Sequence, residues 1–84
     1  MTKAETRDLI VEILKYYPTY FYKTDPTTVI DAWHAVFSEM PYEFANKALI
    51  EHIKEGVKQP TINELYQKAK ELRRFDFFDK GGRI

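Results

Sequence analysis

The segment Lys58-Gln59-Pro60-Thr61-Ile62-Asn63-Glu64-Leu65 constrains the fold more than any other, because it ends one helix and begins the next within eight residues. Just before it, Gly56 can take the left-handed backbone that commonly follows a helix end, and Pro60, with no N–H to donate, forbids continuation. Thr61 and Glu64 have the spacing of a capping box. The Thr61 hydroxyl accepts from the Glu64 N–H, and the Glu64 carboxylate accepts from the Thr61 N–H. A chain punctuated in this way is a set of short helices rather than one long rod.

The same reasoning places the other helices. Thr2 and Glu5 form a second capping-box pair, after which Leu9, Ile10, Ile13, Leu14 and Tyr17 recur at helical spacing. Helix one is predicted from about Lys3 to Tyr16, ending because the residue before Pro18 is pushed out of the α region. Thr19 to Lys23 reads as an aromatic loop or a single turn tucked against the core. Asp25-Pro26 then sets an N-cap and a first-turn proline. Val29, Ile30, Trp33, Val36, Phe37 and Met40 follow as an apolar stripe centred on Trp33. Pro41 closes helix two and can open helix three, whose Ala45, Ala48, Leu49, His52 and Ile53 share one side. The two alanines there permit close approach by a neighbour. Helix four turns Ile62, Leu65, Tyr66, Ala69 and Leu72 inward and Lys68, Lys70, Glu71, Arg73 and Arg74 mostly outward. From Phe75 onward periodicity fades.

The expected fold is therefore all-α: a small four-helix bundle, or five helices if the last segment forms one, in a single domain over residues 1–74 with a C-terminal extension or tail at 75–84. Its core is expected to include Leu9, Ile13, Trp33, Phe37, Leu49, Ile53, Ile62 and Leu65. With 84 residues, a core of this size buries only roughly 60–65% of the surface the unfolded chain exposes. The aromatic content of 15%, with six Tyr, six Phe and Trp33, offsets this by burying much area per residue.

Charge and cysteine usage narrow the function classes. Thirteen basic and thirteen acidic side chains cancel, so the whole molecule lacks the positive field of a non-specific nucleic-acid binder. The distribution is uneven: residues 1–60 carry seven basic against nine acidic groups and residues 61–84 six against four. The absence of cysteine excludes a disulfide framework, a thiolate metal site and a thiol nucleophile. The longest apolar run, Leu9-Ile10-Val11, is broken by Glu12, too short for a signal peptide or membrane span. A soluble, intracellular chain is expected.

No catalytic constellation stands out. His34 and His52 are the only imidazoles, and a metal site needs further ligands converging on one point, so ordinary surface or core-edge roles are expected and neither metal nor cofactor. Glu39 with Glu43, and Glu51 with Glu55, lie one turn apart, but Glu51 and Glu55 flank Lys47, Lys54 and Lys58, which reads as helical ion pairing. Gly81-Gly82 has neither the strand nor the helix of a phosphate-binding loop around it. Enzymatic activity is not expected.

Two binding readings remain. In a DNA-binding helix-turn-helix, helix four would enter the major groove, but the connection from Gly56 to Pro60 exceeds the usual three or four residues, and Glu64 and Glu71 interrupt the basic face. The second is the cluster from Arg73 to Phe78, where Arg73 and Arg74 adjoin Phe75, Phe77 and Phe78, residue types enriched at protein interfaces. Those rings either meet a partner, with Lys70 beside them, or pack back and close the open end of the bundle. The rings of Tyr16, Tyr17, Tyr20, Phe21 and Tyr22 pose the same choice between core and surface.

Taken together, the Thr2-Lys3-Ala4-Glu5-Thr6 helix start, Tyr17-Pro18-x-x-Phe21-Tyr22, Trp33-x-x-x-Phe37, Tyr42-x-x-Ala45-x-x-Ala48-Leu49 and Pro60-Thr61-Ile62-x-Glu64-Leu65 give the chain a likeness over most of residues 1–70. In their order and spacing it resembles the bacteriophage replicative helicase loader/inhibitor family. That resemblance implies an all-helical domain that binds the bacterial replicative helicase or its AAA+ loader ATPase and inhibits or directs helicase loading in the host cytoplasm. The alternatives are an inhibitor acting on the loader ATPase only, or a small DNA-binding module. Longer members of the family carry a flexible C-terminal region implicated in gripping the helicase. Little follows Arg74 here, so a pure inhibitor or a shortened chain is the expectation.

Overall fold

A computed structural model describes residues 1–56 and 58–77, with the side chains of Asp76 and Phe77 excepted. Four helices follow one another: α1 (Lys3–Tyr16), α2 (Pro26–Phe37), α3 (Tyr42–Lys54) and α4 (Ile62–Phe77). Among the described residues there is no strand.

Each helix begins where its local chemistry requires. The Thr2 hydroxyl accepts from the Glu5 N–H at 3.1 Å and the Glu5 carboxylate accepts from the Thr2 N–H at 2.9 Å. Asp25 caps α2 by accepting from the Thr28 N–H at 3.0 Å, with Pro26 as the first helical residue. Thr61 and Glu64 reproduce the reciprocal pair at the start of α4, at 3.1 and 2.9 Å. Pro41 stands at the N-cap of α3 without a side-chain bond, and Gly56 follows its C-terminus with φ +71°, the left-handed region that an added Cβ disfavours. Side-chain caps satisfy the orphan N–H groups of a first turn, and each stabilises by about 1 kcal/mol.

The helices pack as a ring. α1 lies against α2 and α3, and α4 lies against α3 and α2. Between them Leu9, Ile13, Phe37, Leu49 and Leu65 are completely buried, with Ala45, Ala48 and Ala69 permitting the backbones to close in. Burying one such side chain is worth about 1.5–3 kcal/mol. Trp33 is 5% exposed, as its central place on the α2 stripe predicts. Its indole stacks on Phe37 at 5.8 Å and meets Phe21 and Tyr20 edge-on at 5.8 and 6.4 Å, while Phe37 meets Tyr66 edge-on at 5.4 Å. This aromatic ladder joins the α1–α2 loop to α4 through α2.

Several expectations require correction. Ile53 and Ile62 pack at the core margin, half-buried rather than inside it: Ile53 lies at the edge of the α3 stripe near its C-terminal end, and Ile62 is the first residue of α4. Phe44 and Met40 take the interior instead, with Val29 and Ile10. Val36, placed on the α2 stripe, is exposed, since the ring of contacts leaves that flank of α2 uncovered. α4 does not stop at Arg74 but continues as helix to Phe77. Phe75 and Asp76 interrupt the hydrophobic pattern without a Pro or Gly to break the backbone. The remaining residues 78–84, including Phe78, lie outside the described region.

A candidate partner-binding surface on α4

The spacing of α4 sorts its side chains by face. Leu65 and Ala69 are buried, Ile62, Tyr66 and Leu72 are half-buried, and Lys70, Arg73, Arg74 and Phe75 are exposed. Tyr66, Lys70, Arg73 and Arg74 are separated by the three- and four-residue intervals that share a helix surface. The Lys70 ammonium lies 5.6 Å from the Tyr66 ring centre, within cation–π range. An Arg73 guanidinium N–H donates to the Glu39 carbonyl at 3.4 Å. Arg73 thereby links α4 to the turn that closes α2. Between these groups lies a cleft of about 720 Å³ lined by Tyr66, Gln67, Lys70, Glu71, Arg73 and Arg74, with the almost fully buried Met40 beneath it.

The structure thus brings together three of the six residues expected to meet a partner, Lys70, Arg73 and Arg74. Phe75 is 63% exposed, so its ring does not close the end of the bundle. It sits one turn beyond Glu71, on the ridge beside the cationic row rather than within it. The side chains of Phe77 and Phe78 lie outside the described residues. Tyr66, expected to face the core, is half-buried and also lines this cleft.

The connection between α3 and α4 is tied down separately. His52 is buried, and its Nε2 lies 2.6 Å from the Lys58 carbonyl, the arrangement of an Nε2–H donating to that oxygen. Glu55, expected to pair within α3, instead reaches across to Lys68 at 2.6 Å. Helix α4 lies near enough to offer a partner that local spacing cannot reveal. A second cleft of about 740 Å³ runs along this seam, with His52, Glu55, Lys58, Glu64, Lys68 and Glu71 around it. Its charges are mixed in sign. The Glu64 carboxyl is held below its ordinary pKa by the Thr61 N–H and hydroxyl, with the His52 charge assisting. These groups secure the loop. Among the described residues, no group of three or more His, Cys, Asp or Glu side chains could hold a metal ion. Seven residues separate Lys54 from Ile62, longer than the turn of a helix-turn-helix.

Among the described residues, no helix is long and apolar enough to cross a membrane. No curated relative and no solved structure matched the chain. The sequence model of one family, the N-terminal domain of gp39P, a phage protein of the helicase loader/inhibitor type, matches residues 1–66. The matched span covers all four helix starts and the aromatic ladder, and it stops before Lys70, so the cations of the α4 face lie beyond it. The α-helical architecture and the family match agree, and the chain belongs to the phage helicase loader/inhibitor family.

Proposed function

We propose that this protein binds the bacterial replicative helicase, or the AAA+ ATPase that loads it, and modulates loading by stoichiometric occupation rather than by catalysis. The observation that carries the reading is the exposed α4 face, where Lys70, Arg73 and Arg74, with Glu71 among them, border a cleft beside the half-buried Tyr66, with Phe75 exposed alongside. Arginine and large aromatic groups together make the anchors typical of protein interfaces. Cations on such a face speed encounter with an acidic partner surface and then set its orientation. Family membership supports a helicase-related partner. The action takes place in the host bacterial cytoplasm, where helicase and loader reside.

Capture from bacterial lysate on immobilised protein tests this. Recovery of the helicase or loader is expected, with Arg74→Glu and Phe75→Ala each reducing it at least about fivefold, the loss of one interface anchor. Unchanged recovery by both variants removes the α4 face from the account. Binding to duplex DNA that falls steeply with salt would instead support a nucleic-acid module.

A further inference from the structure

We draw no further inference here: the strongest candidate, the apolar groove between α1 and α2 lined by Ile10, Val11, Leu14, Phe21 and Ile30, is an unpartnered face, and nothing in the structure shows what covers it.

Discussion

The Tyr20 hydroxyl donates to the carbonyl of Pro60, forty residues further along the chain, and so ties the α1–α2 loop to the start of α4. Pro60 is fully buried and marks the point where α3 has ended and α4 has not begun. Tyr20 also stacks on Phe21 at 4.3 Å and meets Trp33, so one side chain fixes two connections and the middle of the aromatic ladder.

Tyr20→Phe keeps the ring and deletes the bond. Leaving a buried carbonyl unpaired costs about 1–2 kcal/mol, read as a lower urea midpoint with the slope unchanged. Burial raises the Tyr20 phenol, with Glu64 contributing, and Tyr42 is raised mainly by burial as well. A raised phenol means that the folded state holds its proton more tightly than the unfolded one. The contribution is fully present below about pH 10 and is lost as pH rises through the folded values. Tyr20→Phe should therefore flatten part of the alkaline loss of stability while Tyr42 retains the rest. An unaltered alkaline profile would contradict this.

His52→Ala removes a buried ring and the bond to Lys58. The cavity and the unpaired carbonyl together should cost about 2–3 kcal/mol. The effect should be strongest at the α3 terminus, where the Gly56 N–H, bonded to the Ile53 carbonyl, is expected to exchange with solvent faster than amides of α1. Uniform acceleration across the molecule would mean that His52 supports the whole core rather than this connection.

Thr61→Ala deletes half of the α4 capping box and is expected to destabilise by about 1 kcal/mol. Glu64 supplies the other half, and its folded pKa lies below the ordinary 4.5. That contribution is present above the unfolded value and disappears as pH falls through the lowered one. On acidification from about pH 5 to about pH 3, across the ordinary carboxylate range, denaturation midpoints should fall less for Glu64→Gln than for the parent chain. A parallel fall in both would rule out this cap as a source of acid sensitivity.

Ala48→Leu tests the close approach of α3 to its neighbours. Ala48 is wholly buried, and extra methylenes in a packed core cost about 1–3 kcal/mol. In a domain of this size each kcal/mol lowers Tm by about 4–8 °C. A variant with unchanged Tm would show unfilled space beside Ala48.

Charged side chains show where local reasoning stops. Lys15 pairs with Glu12 within α1, and the bond together with the carboxylate charge raises its pKa. That pair was accessible from spacing alone. Glu55 offered equally good local partners and chose Lys68 on another helix. Similarly, Trp33 announced its burial through the α2 stripe, whereas the exposure of Val36 and the interior place of Phe44 depended on which flanks neighbouring helices cover. On α4 the cationic row could be read from the sequence. The buried Met40 beneath it could not, because Met40 comes from outside that helix.

What the sequence determined by itself was everything decided within about one turn of backbone: the four helices, their caps at Thr2, Asp25 and Thr61, and the left-handed stop at Gly56. Such features depend on hydrogen bonds and dihedral preferences between residues three or four apart. Tertiary packing decided which helix faces meet, and therefore which cations lie beside clefts and which rings remain in water. Those outcomes depend on contacts such as Tyr20 with Pro60 and Arg73 with Glu39, between residues that lie next to each other only after the chain has closed on itself.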